Sequence, residues 1–291
     1  AENLSSFAAD VEFIQGDLND LPLVERAVRG VEYVFHQAAL PSVPLSLQRP
    51  LDTHRDCVTA TVYLLDAARR AGVRRVVYAA SSSAYGDQPF VSLRESDLPH
   101  PLSPYAAAKL AGEYYCQAFF HSFGLETVGL RYFNVFGPRQ DPASAYSAVI
   151  PLFITAMLQG RQPVIYGDGR QTRDFSYVAN MVHGNLLAAE AAGAGGRIVN
   201  LANGRTTDLL TLLAALKGLL GLNIQPRHEP PRIGDIRDSM ADITQARRLL
   251  GYEVQVDFEE GLRRSIDYYR SQAAARPGLR TEAGTRSPAV S

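Results

Sequence analysis

The feature that most constrains this chain is the rhythm of its first half, where short apolar runs alternate with helical stretches. Val11–Gln15, Val31–Ala38 (VEYVFHQA), Arg75–Ala80 (RVVYAA) and Thr127–Phe133 read as strands. Pro22–Val28, roughly Leu51–Ala71 and Pro104–Ser122 carry helical patterns between them. Strands apolar on both faces, alternating with helices, predict a parallel sheet covered on both sides, a doubly wound α/β fold. Such sheets hold ligands at the carboxyl ends of their strands. Attention therefore falls on Asp17, on the segment His36–Leu40, on Ser81–Ser83 and on Asn134.

After Gly137-Pro138-Arg139 the rhythm changes. A helix over Ala148–Gln159, a strand at Pro163–Tyr166, a Gly-Asp-Gly turn, a helix over Tyr177–Ala191 and a strand at Arg197–Leu201 follow. The expectation is a first domain over 1–140 and a smaller lobe, mainly 141–272, interleaved with it and returning segments to it. Residues 273–291 are small, polar and charged and are expected to be disordered. A dinucleotide-binding sheet of this kind opens with a strand, a G-x-x-G-x-x-G turn and a helix that hold the pyrophosphate. No such turn occurs in this sequence. A β–α–β unit needs about 30 residues, so roughly 40 to 50 upstream residues are expected to be missing, with a degraded paralogue the alternative.

Composition removes several classes. The net charge is −1, which gives no basic excess for nucleic acid or an anionic membrane surface. The most apolar stretch, Leu209–Leu222, is too short to span a bilayer, and the N-terminus has no signal-peptide pattern. The two cysteines, Cys57 and Cys116, have neither pairing nor metal spacing, so two buried thiols, no metal site and a cytoplasmic setting are expected. Among 29 basic residues only Lys109 and Lys217 are lysines. A lysine kept where arginine is otherwise used hints at a place where arginine fails, and Lys217 is the counter-example.

Chemistry concentrates at Ser103-Pro104-Tyr105-Ala106-Ala107-Ala108-Lys109. Ser103 suits a helix cap and Pro104 the first helical position. Tyr105 and Lys109 then lie one turn apart on one face. A free phenol is a poor base at neutral pH, and a neighbouring ammonium favours its ionised form. A bare Y-x-x-x-K pattern arises by chance in many helices. Here a strand ending in Ser81-Ser82-Ser83 precedes Tyr105, offering a hydroxyl to share a substrate proton.

That pairing resembles the short-chain dehydrogenase/reductase family, whose sheet is Rossmann-like. The resemblance covers about residues 9 to 270 and includes GDL at 16–18, HQAAL at 36–40 and the serine and tyrosine motifs. RYFNVFGPRQ at 131–140, GDGRQTRDF at 167–175 and RIGDIRDSMAD at 232–242 are similar to the extended, nucleotide-sugar branch. The resemblance implies NAD as cofactor, a UDP-sugar as substrate and a homodimer through helices around 51–71 and 104–122. By it, Asp17 and Leu18 contact the adenine, Ala38, Ala39 and Leu40 line the cofactor, and Phe133 packs on the nicotinamide side. Ser81, Tyr105 and Lys109 form the catalytic group, with Lys109 also reaching the nicotinamide ribose. Asn134 serves the diphosphate side, Arg173, Arg232 and Arg237 bind the diphosphate, and Asp235 takes the ribose hydroxyls. Forked guanidinium donors suit a diphosphate. His36 reads as a satisfied structural histidine.

Two departures stand out. The family's asparagine in N-V-x-G-T is Cys57 here, in Cys57-Val58-Thr59-Ala60-Thr61, and the glycine turn is absent. Family members that eliminate water carry an Asp-Glu pair after the strand-end hydroxyl, whereas here Ser82 and Ser83, expected to face the substrate, hold those positions. Epimerisation at C4 needs no such acid. The expected function is therefore NAD-dependent C4 epimerisation of a UDP-sugar. A dehydratase or reductase of the same family, or a non-catalytic UDP-sugar-binding remnant, is the alternative. Ser239 falls where the family places a residue against the sugar's C2 substituent, and a small residue there favours N-acetylated sugars, UDP-GlcNAc and UDP-GalNAc, over UDP-glucose and UDP-galactose.

Overall fold

The computed structural model describes residues 2–142, 148–231 and 236–275. A 3-10 turn over Glu2–Phe7 precedes helix α1 (Leu21–Ala27), capped by the Asp20 carboxylate, which accepts from the Leu23 amide. Strand β1 (Tyr33–His36) leads through α2 (Val43–Gln48), α3 (Pro50–His54) and a π-helical turn (Arg55–Thr59) into α4 (Ala60–Ala71). Next come β2 (Arg75–Ser81), β3 (Ser92–Leu93), α5 (Pro104–Phe123), β4 (Glu126–Tyr132) and β5 (Val135–Phe136). The remaining elements begin with α6 (Val149–Leu158), β6 (Val164–Tyr166), β7 (Thr172–Arg173), β8 (Ser176–Tyr177), α7 (Val178–Glu190) and β9 (Arg197–Leu201). They close with β10 (Thr207–Asp208), α8 (Leu209–Leu220), β11 (Arg227–Glu229), β12 (Met240–Ala241), α9 (Thr244–Leu250) and α10 (Phe258–Ala275).

The main sheet has the order β1-β2-β4-β9, with every pair parallel. β2 is buried along nearly its whole length, as a strand covered on both faces must be. Its side chains alternate. Val76, Tyr78 and Ala80 pack with α1, α4 and α5, while Val77 joins β4, β9, α7 and α9 on the other face. The doubly wound α/β expectation therefore holds. A separate apolar cluster joins α6, β6, α8 and α10 around Phe153, Ile165, Leu216 and Leu262. Because α7, β9 and α9 belong to the main-sheet core, the chain passes between the two cores more than once. No helix among the described residues is long and apolar enough to cross a membrane.

Three expectations change. Val11–Gln15 forms no strand and is exposed, because no described strand lies beside it to accept its backbone hydrogen bonds. The helix expected over 51–71 is interrupted by the π turn at Arg55–Thr59, which adds a residue to one turn and holds Cys57 buried. Helix α10 continues through Ala273 to Ala275, where the sequence led one to expect a tail to begin, and residues 276–291 lie outside the described residues.

Candidate active site

Two sequence-local devices set the site. Ser81 is the last residue of β2, held in register opposite Tyr132 of β4. Helix α5 starts where the Ser103 hydroxyl accepts from the Ala106 amide at 3.1 Å, with Pro104 in its first turn. That start fixes Tyr105 in the first turn and Lys109 one turn later. β2 and α5 pack directly, so a strand end and a helix start bring Ser81 and Tyr105 together. The Ser81 hydroxyl stands near enough to the Tyr105 phenol to favour its ionised form. It also accepts from the Ser83 hydroxyl at 2.8 Å and the Ser83 amide at 3.2 Å. Ser82 and Ser83 are half-buried in the 3-10 turn that follows, and no carboxylate occupies either position.

Burial pushes the Tyr105 phenol up, and the Ser81 hydroxyl opposes that rise. Lys109 is 3% exposed. Its ammonium does not bond the phenol beside it, as the helical spacing led one to expect. It donates instead to the Ala79 carbonyl at 2.7 Å and stands over the Tyr78 ring at 4.9 Å. A buried ammonium takes the acceptor within reach, and that acceptor is on β2. Burial lowers Lys109 to about 8. The Tyr78 ring fits beneath α5 because Gly112 has no side chain, and a Cβ there would stand 2.2 Å from the Tyr78 hydroxyl.

Around this group the sequence reading is met unevenly. His36 is a satisfied structural residue: its Nε2 lies 2.8 Å from the Thr61 hydroxyl, which donates to the Cys57 carbonyl at 2.7 Å. Burial drives it down to about 3, so it is neutral. Both cysteines are free and buried, and the Cys57 thiol accepts from the Leu40 amide at 3.4 Å, tying the π turn to the 36–40 segment. Ala38 is exposed at the end of β1, and Ala39 and Leu40 pack against Cys57 and Val58. Asp17 is exposed and bonds to Asn19, while Leu18 packs against the α1–α4 core. Phe133 is not a wall of an open crevice: just past the end of β4, its ring is fully buried beside Tyr85 in the core that also holds Val128 and Leu130.

A cavity of about 500 Å³ opens beside Asn134, two residues beyond Tyr132, and runs past Phe153 and Tyr166 to Arg173. Asn134 itself holds a left-handed φ of 27°, a conformation asparagine tolerates better than most residues. Arg173 donates to the main-chain carbonyls of Thr172 and Arg237, which aims its side chain along the cavity wall. The Arg237 guanidinium forks onto Asp168 at 3.1 Å on an exposed surface. Ser239 is buried beside β12. Arg232 and Asp235 lie outside the described residues. Sequence reasoning missed the cavity's Arg161, Gln162 and Tyr166, whose only sequence signal was the short strand before the Gly-Asp-Gly turn. It also missed the buried pair Glu113–Arg131, described below.

A hydroxyl pair and a buried ammonium gather near the end of β2, while the cavity beside Asn134 has apolar walls and guanidinium donors and is lined by none of those three residues. Residues 2–202 match the model of the NAD dependent epimerase/dehydratase family. A UDP-glucose 4-epimerase of Mycolicibacterium smegmatis is 38% identical over 275 residues, spanning 94% of this chain and 86% of that protein. Among solved structures, a UDP-N-acetylglucosamine 4-epimerase from Methanobrevibacter ruminantium, in complex with UDP-N-acetylmuramic acid, is similar at 41% identity and a TM-score of 0.86. It covers 89% of this chain and 83% of that one. A UDP-glucose 4-epimerase of Thermotoga maritima with UDP-glucose aligns at 36% identity and a TM-score of 0.86, covering 93% and 89%.

Proposed function

The chain belongs to the NAD dependent epimerase/dehydratase family, and on that premise we propose that it interconverts UDP-GlcNAc and UDP-GalNAc by inversion at C4. The broader assignment, an NAD-dependent epimerase acting on UDP-sugars, is common to the relatives above. Within it, the approach of Ser81 to Tyr105 carries the catalytic reading.

NAD, when bound, supplies the hydride acceptor at the sugar's C4 and gives the hydride back. The donor set fits its nicotinamide end: an ammonium carries three protons, and Lys109's hydrogen bond to Ala79 uses one of them. Lys109 would hold ribose hydroxyls there, with Ala38, Ala39 and Leu40 along the same strand end. Tyr105, in its phenolate form, would accept the proton from the sugar's O4 and later return it. Ser81, beside the phenol, shares that proton and orients the sugar hydroxyl. The Ser81 hydroxyl opposes the rise that burial imposes on Tyr105, bringing the phenol nearer to a working base. Ser82 and Ser83 offer no acid for loss of water, which favours return of the hydride over elimination. Asn134, Arg173 and the cavity beside them would take the nucleotide diphosphate, with Arg232 and Asp235 assigned by motif to the same end.

The N-acetyl preference rests on Ser239, a small buried residue in RIGDIRDSMAD. Proton NMR of the anomeric signals tests it: UDP-GlcNAc should convert to a UDP-GlcNAc/UDP-GalNAc mixture, and turnover of UDP-glucose alone overturns it. We further propose a homodimer through the helical segment 51–71 and α5, supported by exposed Leu51, Tyr114 and Phe123. Sedimentation at the mass of one chain would refute that.

A further inference from the structure

Helix α5 carries a third polar residue in line with Tyr105 and Lys109. Glu113 lies one turn beyond Lys109 and is 2% exposed. Its two carboxylate oxygens accept from Arg131 of β4, from Nε at 2.9 Å and from Nη2 at 2.7 Å. Arg131 is itself buried, and its guanidinium carbon stands over the Tyr85 ring, 4.5 Å from the centroid. Tyr85 follows the serine turn and donates to the Asn200 side chain of β9 at 2.6 Å. A forked ion pair buried this deeply is an expensive feature of a fold, and apolar residues of the same volume usually serve stability as well or better. Its position one turn from Lys109 calls for another account.

We infer that Glu113, clamped by Arg131, is a positioning residue whose carboxylate keeps Lys109 charged at the strand end where Tyr105 and Ser81 meet. The groups around Lys109 leave few other candidates. Tyr78 and the Ala79 carbonyl face it from β2, His36 from β1, Cys57 from the π turn, and Tyr105, Glu113 and Cys116 from its own helix. His36 is neutral, burial pushes both thiols up, and both phenols are raised as well. At neutral pH none of these carries a negative charge. Burial also raises Glu113, and the two bonds from Arg131 oppose that. The order of support is therefore Arg131 to Glu113 to Lys109. Tyr85, beneath the guanidinium, fixes the first member against the sheet.

The charge state of Lys109 is measurable without substrate or cofactor, because the chain has only two lysines. Labelling the lysine ε-carbons with ¹³C gives two titrating NMR signals, and Lys217→Arg removes the other one. In Glu113→Gln the Lys109 midpoint should fall by roughly one pH unit, a tenfold loss of the ammonium above the midpoint. Glu113→Asp should recover part of it. Because Glu113→Gln strands the buried Arg131, the double variant Glu113→Gln with Arg131→Met separates charge from folding. The inference expects that pair to restore the melting temperature and still leave the Lys109 midpoint low. A midpoint unchanged from the parent protein in the folded double variant overturns it. For catalysis the inference rests on the function proposed above. There kcat for UDP-sugar epimerisation should drop about tenfold in Glu113→Gln near pH 8 with KM held. A parent protein that titrates as expected but epimerises no UDP-sugar would sink the function and leave this inference standing.

Discussion

Lys109 of α5 donates to the main-chain carbonyl of Ala79 on β2 at 2.7 Å, so this helix is tied to the strand that ends in Ser81. The bond places a charged group in a slot floored by the Tyr78 ring, where a lysine stem fits and a planar guanidinium does not. Lys109→Arg is therefore expected to lower kcat as severely as Lys109→Met, and near-normal turnover in the arginine variant would remove Lys109 from the mechanism.

The same burial has a cost in stability. Lys109 titrates near 8 in the fold against 10.5 in a free chain, so between those values the unfolded chain holds the extra proton. Stability from this group thus rises with pH across that window and is lowest below about pH 8. Lys109→Met should stabilise the protein at pH 7 by up to roughly 3 kcal/mol, less the lost bond to Ala79. Melting curves at pH 7 and pH 10 test this: the gain should shrink at the higher pH.

Tyr105→Phe removes the base while leaving a ring of the same shape in the same pocket. The loss in kcat should be on the order of 10²- to 10⁴-fold with the fold intact. Ser81→Ala, which takes away only the partner hydroxyl, should cost less. Equal turnover of the parent and Tyr105→Phe proteins in a coupled epimerase assay would refute the assignment.

His36 is held neutral at about 3, while a free histidine titrates near 6.5. The unfolded chain therefore gains a proton below pH 6.5 that the folded one refuses, and stability falls as the solution is acidified toward 3. At pH 5 the penalty is roughly 2 kcal/mol. His36→Gln keeps a donor for Thr61 and does not titrate. Urea unfolding of the variant should lose less stability between pH 7.5 and pH 5 than the parent does.

Ser239→Tyr would fill a buried site with most of a phenol ring. Overfilling a packed pocket costs about 1–3 kcal/mol, so turnover of UDP-GlcNAc should fall ten- to a hundredfold while UDP-glucose is retained. Parallel loss of both sugars would show that Ser239 supports the fold and says nothing about C2.

Much of this site is written locally. The Ser103 cap, Pro104 and the four-residue step from Tyr105 to Lys109 are neighbours in the chain, and α5 starts where they require. The strands at 75–81 and 126–132 follow from short apolar runs, and the sheet places Ser81 at a carboxyl end. Other placements depend on physics that is not local. Val11–Gln15 has a strand's composition but no described partner strand. Arg237 sits in a diphosphate-like motif, yet finds Asp168, 69 residues away, on the surface. Phe133 follows a motif position into the core.

By itself, then, the sequence determined the periods, caps and turn residues that make these elements, because each depends on residues within a turn or two of one another. Tertiary structure decided which side chain meets which. Lys109 turns to Ala79, 30 residues earlier, and Glu113 finds Arg131, 18 residues later. Register between β2 and β4 and the packing of α5 upon them set those distances, and buried charges then bond to whatever partner that packing brings within reach.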